Sequence, residues 1–333
     1  MKRVLVIGCG SIGQRHIRAL LAIGGCNIAA YRTRKGHNRE LPADILNRVV
    51  EFDEVESALS WKPTHLLISN PTSLHAQYLR LGLDAGIAVF VEKPLIDEMS
   101  SLATYQITPQ ELRDADGMVG YVLRFFQITD AIKKWIVDRQ LGNVVAAYMN
   151  VGHYLPFWHP YEDYRDSYAA RSDLGGGALR TLSHEIDLAH YLFGECEQVF
   201  ARTSRLGELD MEVDDCTDVV SSHSLCKQVV VHLDFLSPNL VRNGRILFTE
   251  GSLEYDFPTN RMVVQRYADA ENPETETVVD SPDRAYERQM THFLRGESGR
   301  ACRLADGVKI AGVIDACEMS SKEGRVVDVS LGW

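Results

Sequence analysis

The residue types that can handle protons fall in two segments far apart in this chain. Glu92-Lys93-Pro94 supplies an acid and a lysine, and His184-Glu185-Ile186-Asp187 supplies a histidine and two acids. Lysine and histidine can exchange a proton with a substrate hydroxyl, and a neighbouring acid can orient them. Such groups suit the oxidation of an alcohol or the reduction of a carbonyl, if another group accepts or supplies the hydride.

A site for a hydride carrier is indicated at the start of the sequence. The apolar run at 4–7 predicts a buried parallel strand, a Gly-x-Gly-x-x-Gly pattern follows it, and apolar spacing then predicts a helix. In this order the glycines let the backbone approach a pyrophosphate at the helix N-terminus. Such a pattern also arises by chance, but its place after an N-terminal strand favours a dinucleotide site. The predicted contacts are Gly8, Gly10, Ser11, Ile12 and Gly13.

The second predicted strand, at 27–31, ends in cations. An acid at this point would bind the 2′-hydroxyl of NAD, whereas Arg32 begins a run of Arg, Thr, Arg and Lys. Cations favour a 2′-phosphate, so we expect NADP(H) to be preferred, with NAD(H) possible. The alternative is that Arg34 and Lys35 are solvated loop residues. The predicted contacts are Arg32, Thr33 and Arg34.

Further strands at 64–69 and 88–91 alternate with a helix at 73–85, which is typical of a doubly wound parallel sheet. Asn70-Pro71 and Glu92-Lys93 directly follow strand ends, where ligands bind in sheets of this class. We therefore expect these four residues to contact the cofactor. A lysine at a strand end is more often a surface residue, so position alone does not identify Lys93.

Size and composition limit the class of protein. A chain of 333 residues usually forms two domains, and no apolar run approaches the roughly 20 residues that span a bilayer, so we expect a soluble protein. The net charge of -11 argues against nucleic acid or an anionic membrane as the main partner. Seven cysteines without a Cys-x-x-Cys pair indicate neither a disulfide framework nor zinc, and favour the cytoplasm.

After about residue 122 the pattern changes to short strands separated by turns. We expect an α/β protein with a dinucleotide-binding domain at 1–122 and an α+β domain at 123–333 with a sheet of about six strands. The polar stretch 270–283 is expected to be at most a loop. The predicted elements of the second domain are strands at 144–151, 199–203, 217–222, 228–235, 245–248, 252–255 and 262–266, and helices at 133–138, 284–294 and 307–320.

A helix predicted over 177–194 places four polar residues on one side, Arg180, His184, Asp187 and Tyr191. A solvated polar face is the commoner explanation. The proton-handling content of the stripe and the three glycines at 175–177 favour chemistry instead.

The segment 153–165 is dense in aromatic and hydrogen-bonding groups, which suit the CH faces and hydroxyls of a sugar. A subunit interface is an equally good interpretation. We expect Tyr154 and Trp158 to contact substrate, and Arg165 and Arg171 to be able to hold a phosphate or carboxylate. The histidines lack tight ligand spacing, so no metal site is expected.

Several motifs carry a family resemblance along nearly the whole chain. They are Gly8-x-Gly10-x-x-Gly13, Asn70-Pro71-Thr72-x-x-His75, Ala85-Gly86, Val91-Glu92-Lys93-Pro94, Gly120-Tyr121-x-x-Arg124-Phe125, Gly175-Gly176-Gly177-Ala178-Leu179 and His184-x-x-Asp187. In these the chain resembles the Gfo/Idh/MocA family of oxidoreductases. The resemblance implies an N-terminal Rossmann domain and a C-terminal domain whose open, largely antiparallel sheet bears the substrate pocket. It adds His75 to the cofactor contacts.

The same resemblance implies that Lys93 works beside the nicotinamide and that His184 assists it. It also places Tyr121 and Arg124 in a motif that we expect to bind substrate. Many family dehydrogenases carry an aspartate four residues before this histidine, where this chain has Arg180. We expect Arg180 to bind an anionic group of the substrate, and Asp187 to contact a hydroxyl or support the helix.

The expected function is hydride transfer between NAD(P) and a secondary alcohol of a sugar, nucleotide-sugar or polyol, at a site formed where the domains meet. Two alternatives are open: a cofactor-binding regulator without turnover, and a redox-assisted glycosidase or epimerase with retained NAD(P). The expected partners are the small-molecule substrate and further copies of the chain, as a homodimer or homotetramer through the C-terminal sheet.

Overall fold

A computed structural model of the chain describes residues 1–33, 41–158 and 162–329. The chain forms two compact units. The first contains Met1–Phe125 and Pro282–Ala311, and the second contains Phe126–Ser281 and Gly312–Trp333. Residues 282–311, which we expected in the C-terminal domain, therefore pack with the N-terminal residues. The expected boundary after residue 122 lies close to the point where the chain first leaves the first unit.

The first unit is built on a seven-stranded sheet, in the order β15-β6-β5-β4-β1-β2-β3. All neighbours are parallel except β15, which is antiparallel to β6. Buried β-branched and leucine side chains make up its central strands, as expected where both faces are covered. The strands are β1 Lys2–Ile7, β2 Cys26–Tyr31, β3 Val50–Phe52, β4 His65–Ile68, β5 Ala88–Val91, β6 Gly117–Val119 and β15 Cys302–Arg303.

Helices complete this doubly wound unit. Helix α1 buries Ile17 and Leu20, and α10 packs against it. A capping box at Thr108 and Glu111 fixes the start of α6. The helices are α1 Ser11–Ile23, α2 Ala43–Leu46, α3 Val55–Ser60, α4 His75–Asp84, α5 Ser100–Thr104, α6 Pro109–Asp114 and α10 Pro282–Arg295.

The second unit contains a nine-stranded sheet, in the order β14-β13-β12-β11-β7-β10-β9-β8-β16. Neighbours are antiparallel except β7 and β10. The largely antiparallel character is confirmed, whereas the expected number of about six strands is wrong. The strands are β7 Val144–Gly152, β8 Cys196–Ser204, β9 Cys216–His223, β10 Val229–Asp234, β11 Val241–Phe248, β12 Gly251–Asp256, β13 Arg261–Arg266, β14 Asp269–Thr277 and β16 Val327–Asp328.

The loop expected at 270–283 is mostly strand β14, which pairs with β13. All nine residues of β14 are exposed. The strand therefore lacks the apolar alternation from which a half-buried strand is recognised in a sequence. Its acidic side chains suit a sheet edge that must not pair further.

In the part of the chain that the structure describes, four helices belong wholly or partly to the second unit. The helix expected over 177–194 is two helices, interrupted at Leu182 and Ser183, where Ser183 has a ψ near zero. Among the described residues, no helix combines the length and apolar composition needed to cross a bilayer. The helices are α7 Gln127–Val137, α8 Ala178–Thr181, α9 His184–Phe193 and α11 Leu304–Glu323, whose first residues fall in the first unit.

Candidate functional site

The glycine pattern forms the turn between β1 and α1. Gly8 has a φ of +90°, and a Cβ there would lie 2.6 Å from the amide nitrogen of Asn70. A Cβ on Gly13 would lie 2.1 Å from the Gly8 carbonyl oxygen. In contrast, a Cβ on Gly10 would meet nothing within 4 Å. Gly8 and Gly13 are thus required by close packing, while Gly10 leaves open space at the helix start.

The N-terminus of α1 is open to a ligand. Its N-cap, Gly10, has no side chain to bond the first amides, and no acid lies in the first turn. Ser11 is exposed and Ile12 is partly buried. The first amides of a helix lack partners within the helix, and together with the positive end of the helix dipole they favour an anion at this position.

The carboxyl ends of β1, β4 and β5 meet at this turn. Ile7 pairs with Ile68, which pairs with Val91, so the loops after these strands begin at one level. The Ser69 hydroxyl donates to the Gly8 carbonyl over 2.8 Å and holds the loop after β4 against the glycine turn. This is the sheet edge at which α/β proteins bind ligands.

Asn70, directly after Ser69, has a buried side-chain amide. Its nitrogen and oxygen have no hydrogen-bond partner among the described residues. Buried polar groups are nearly always bonded, and one left without a partner indicates a missing ligand or water. Pro71 continues the loop into a short 3₁₀ turn.

His75 joins the loops after β4 and β5. One ring nitrogen lies 2.9 Å from the Asn70 carbonyl oxygen and the other 2.9 Å from that of Pro94. The ring is buried, and burial lowers its pKa despite these bonds. His75 therefore positions Asn70 from within the unit, a role that the sequence pattern alone did not specify.

Glu92 is a buried anchor for Lys93. Its carboxylate lies 2.6 Å from Nε2 of His16 and accepts a 3.0 Å hydrogen bond from the Lys93 amide. Burial alone would raise the Glu92 pKa, but His16 and Lys93 outweigh it and hold the pKa below its usual value. Lys93 itself is partly buried. The sequence analysis did not identify His16, the partner of Glu92, because nothing in its position distinguished it from the other residues of the predicted helix.

The ribose end of the site combines a cation with an acid. The Arg32 amide donates to the Phe52 carbonyl over 3.0 Å, and its guanidinium lies 3.2 Å from the carboxylate of Glu51. Thr33 is exposed. Arg34, the third expected contact, lies outside the described residues. Glu51 was missed because it is about twenty residues away in sequence and belongs to a three-residue strand.

These features fit a dinucleotide. The bare helix N-terminus suits a pyrophosphate, and the Asn70 amide supplies a donor and an acceptor beside it. The residues that would hold it are the glycine turn, Arg32, Thr33, Asn70 and Pro71, with Lys93 at the end of β5.

In the second unit, the glycines at 175–177 serve close packing. A Cβ on Gly176 would lie 2.5 Å from the Tyr168 carbonyl oxygen, and Gly177 has a φ of +106°. The partly buried carboxylate of Asp214 accepts a 2.9 Å hydrogen bond from the Leu179 amide at the start of α8. Burial raises the pKa of this carboxyl. The glycines were expected to allow a close approach at the helix start, and other segments of this chain make that approach.

Arg180 makes a two-pronged ion pair. Its Nε and a terminal nitrogen each lie 2.8 Å from an oxygen of Glu318, and Asp315 lies 3.7 Å away. Such pairing is among the stronger charge contacts in proteins. It competes with the expected binding of a substrate anion, which stays a prediction.

Helix α9 carries the second proton-handling group. His184 is its first residue and is partly buried, whereas Asp187 is fully buried. The expected polar face therefore does not run along one helix through 177–194. The helix is interrupted before His184, and Asp187 is buried within the unit. The catalytic role of His184 stays a prediction.

The expected aromatic contacts are partly buried. The Trp158 indole donates to the His153 carbonyl over 3.2 Å and meets Phe235 edge to face. Tyr154 is partly buried against Phe157, which is more than half exposed. Both expected contacts thus belong to one aromatic segment of the second unit.

The expected anion-binding arginines of this region are occupied. Arg165 bonds both oxygens of Asp163 and lowers the pKa of that carboxyl to about 2. Arg171 binds Asp173 in the same way over 2.7 and 2.9 Å. An anion that approaches either of these exposed guanidinium groups therefore competes with a carboxylate already bound.

Tyr121 and Arg124, expected to bind substrate, are buried within the first unit. The Arg124 guanidinium donates to the Ala301 carbonyl over 3.3 Å, and Arg300 donates to the Arg124 carbonyl. These bonds attach the returning segment before β15 to the 3₁₀ turn that follows β6. A packing role accounts for them, and substrate binding stays a prediction.

Among the described residues of the second unit, one group has metal-ligand chemistry. Cys216, Asp218 and His232 offer ligand atoms within 4.8 Å of one another. Both ring nitrogens of His232 already face carboxylates, those of Asp218 and Asp234, which raise its pKa to about 9. Burial raises the pKa of the Cys216 thiol to about 11. The expectation of no metal stays a prediction.

Comparison with known proteins decides the family. Residues 2–114 match the model of the oxidoreductase family with an NAD-binding Rossmann fold, and residues 129–254 match the Gfo/Idh/MocA C-terminal domain. The chain belongs to the Gfo/Idh/MocA family of oxidoreductases. The expected family, fold class and enzyme class are thereby confirmed.

Relatives match along nearly the whole chain. D-xylose 1-dehydrogenase (NADP(+)) 2 of Haloferax volcanii is 24% identical over 97% of this chain and 98% of its own. An inositol 2-dehydrogenase of Burkholderia lata is 24% identical over 98% of this chain and 96% of its own. Among solved structures, levoglucosan dehydrogenase in complex with NADH has a TM-score of 0.84 at 20% identity, over 99% of both chains.

Proposed function

We propose that this protein is an NAD(P)-dependent dehydrogenase that transfers a hydride between the nicotinamide and a secondary alcohol of a sugar or polyol. The observation that carries the proposal is the edge of the first sheet. There a bare helix N-terminus, the Asn70 amide, which has no partner in the part of the chain that the structure describes, and Lys93 follow neighbouring strands. The sugar and polyol dehydrogenases among the relatives support the substrate class.

The bound nicotinamide would accept or supply the hydride. Lys93 then holds or releases the hydroxyl proton at Nζ, while Glu92 fixes its backbone through the 3.0 Å bond to its amide. His184 orients the substrate or relays the proton, and the buried Asp187 supports the first turns of α9. Each of these roles is part of the proposal.

A neutral substrate is favoured over a phosphorylated or nucleotide-linked one. Arg165, Arg171 and Arg180, the cations expected to bind an anionic group, are each paired with carboxylates. A phosphate at any of these arginines would compete with a carboxylate already in place. A sugar or polyol, recognised by hydrogen bonds and by aromatic side chains such as Trp158, needs no such exchange.

For the cofactor, we propose that NADP(H) is preferred and NAD(H) accepted. Arg32 supplies the positive charge for a 2′-phosphate at the end of β2. The NADP-dependent xylose dehydrogenase supports this choice, while the solved relative contains NADH.

The test is a spectrophotometric screen of the purified protein. NADP⁺ or NAD⁺ is offered with D-xylose, inositol, levoglucosan and a nucleotide-sugar, and absorbance of the reduced nicotinamide is followed. We expect reduction with a neutral sugar or polyol. Conversion of a substrate without net reduction would instead support a redox-assisted glycosidase or epimerase. Cofactor binding with no conversion of any compound would support a regulator.

A further inference from the structure

The ribose end of the nucleotide site contains a carboxylate that the sequence motif does not include. Strands β2 and β3 are parallel neighbours, with Tyr31 paired to Phe52. The guanidinium of Arg32 and the carboxylate of Glu51 lie 3.2 Å apart, and their side chains are only 13% and 21% exposed. The two charges are thus fixed together at the carboxyl end of the sheet.

This pair lies beside the glycine turn. Ile7, the last residue before the turn, pairs with Tyr31, the residue before Arg32. Both charges also act on Cys9, which stands between two glycines of the motif. Burial raises the pKa of the Cys9 thiol to about 11, with Arg32 opposing and Glu51 adding to the rise. The pair is therefore close enough to affect a group bound at the turn.

We propose that Glu51 sets the choice between NADP(H) and NAD(H) by limiting the preference that Arg32 gives to a 2′-phosphate. This inference rests on the proposed nucleotide site. A carboxylate beside the ribose repels a phosphate and can accept a hydrogen bond from a 2′-hydroxyl. It also accepts a hydrogen bond from a guanidinium nitrogen of Arg32 that could otherwise donate to a phosphate. Both effects act in the same direction, toward acceptance of NAD(H).

Removal of this charge by Glu51→Gln is expected to sharpen the preference for a 2′-phosphate. Calorimetry measures the binding of adenosine 2′,5′-bisphosphate and of 5′-AMP, which differ only in the 2′-phosphate and require no turnover. We expect the ratio of their affinities to shift about tenfold toward the 2′-phosphate, because the neutral amide no longer repels it. The ratio of kcat/KM for NADP⁺ and NAD⁺ is expected to follow.

Two variants control for charge and geometry. Glu51→Asp keeps the carboxylate and is expected to keep the ratio near that of the wild type. Asp44→Asn removes one negative charge from an exposed pair in the same unit, Arg18 with Asp44, whose atoms are also 3.2 Å apart. It is expected to leave the ratio unchanged.

The proposal is overturned if Glu51→Gln leaves the ratio unchanged or lowers it, or if Asp44→Asn shifts it equally. Circular dichroism confirms folding, and Glu51→Ala replaces the glutamine variant if that fails to fold. Other outcomes test the nucleotide site on which this proposal rests. If neither nucleotide binds the wild type, the nucleotide site is wrong, and if Arg32→Ala leaves the wild-type ratio intact, the role of Arg32 is wrong.

Discussion

At the scale of single residues, Glu92 has a different task from the one its motif suggested. We expected a cofactor contact, but both carboxylate oxygens are engaged inside the first unit, with His16 and with the Lys93 amide. A Cβ on Gly120 would lie 2.8 Å from this carboxylate, so the space for it depends on a glycine. The acid of the Glu-Lys-Pro motif therefore acts as a positioning residue for the lysine beside it.

Glu92→Gln is expected to lower the free energy of unfolding at neutral pH by about 1–3 kcal/mol, since a buried hydrogen-bonded charge is lost. Because the folded-state pKa of Glu92 is lowered, its contribution is present above the ordinary pKa of 4.5 and is lost as the pH falls through the lowered value. Urea unfolding at neutral and acidic pH should show the two proteins converging in acid. A gap that is constant or widens in acid would contradict this assignment.

Lys93→Ala is expected to lower kcat by about 10²–10⁴-fold, as for loss of a positioned proton carrier. Dinucleotide binding, followed by quenching of tryptophan fluorescence, should change far less. Lys322→Ala, an exposed lysine in α11, is the matched control and should retain full activity. Turnover of Lys93→Ala near the wild-type value would show that another group carries the proton.

At the scale of elements, the three glycines in the turn between β1 and α1 have different environments, two closely packed and one open. Gly13 touches the Gly8 carbonyl, whereas Gly10 faces open space. The sequence pattern treats these positions alike, and only the backbone geometry distinguishes them.

Gly13→Ala is expected to destabilise the protein by about 1–3 kcal/mol, because its methyl group would overlap the Gly8 carbonyl oxygen. Gly10→Ala should leave the melting temperature close to that of the wild type and weaken NADP(H) binding about tenfold, by filling space that the ligand needs. Thermal unfolding and calorimetry check both variants. Equal effects of the two substitutions on stability would contradict this division.

Local patterns predicted most elements of both units, because buried parallel strands and the glycine turn have strong signals. Three features of the structure had no such signal in the local sequence. Strand β14 is exposed at all nine positions, Arg180 finds its partner Glu318 far along the chain, and Glu51 approaches Arg32 through a three-residue strand. The break before His184 was also missed, since periodicity does not reveal a two-residue interruption.

At the scale of the whole molecule, the second sheet leaves apolar side chains exposed in a row. Phe200 and Val220 are cross-strand neighbours with 45% and 42% of their surface exposed, and Tyr148 on the same sheet is 38% exposed. Exposed apolar side chains in a row can form a contact between copies of a chain. This surface is consistent with the expected association of the chain through its second sheet.

Light scattering is accordingly expected to give the mass of a dimer or tetramer. Val220→Asp should shift that mass toward the monomer, since a charge would be buried in the contact. Val137→Asp, at an exposed position in α7, should leave the mass unchanged. A monomeric wild-type protein, or an unaltered mass for Val220→Asp, would contradict this expectation.

The return of residues 282–311 to the first unit determines when that unit can be completed. Helix α10 packs on α1, and β15 extends the sheet beside β6, although more than 150 residues of the second unit separate them in the chain. During translation, the nucleotide-binding unit therefore stays incomplete, with the face of α1 uncovered, until the residues up to Ala311 have left the ribosome. Contacts this distant in sequence slow folding and expose apolar surface to aggregation. A nascent chain halted between the units would thus be a client for chaperones rather than a small finished domain.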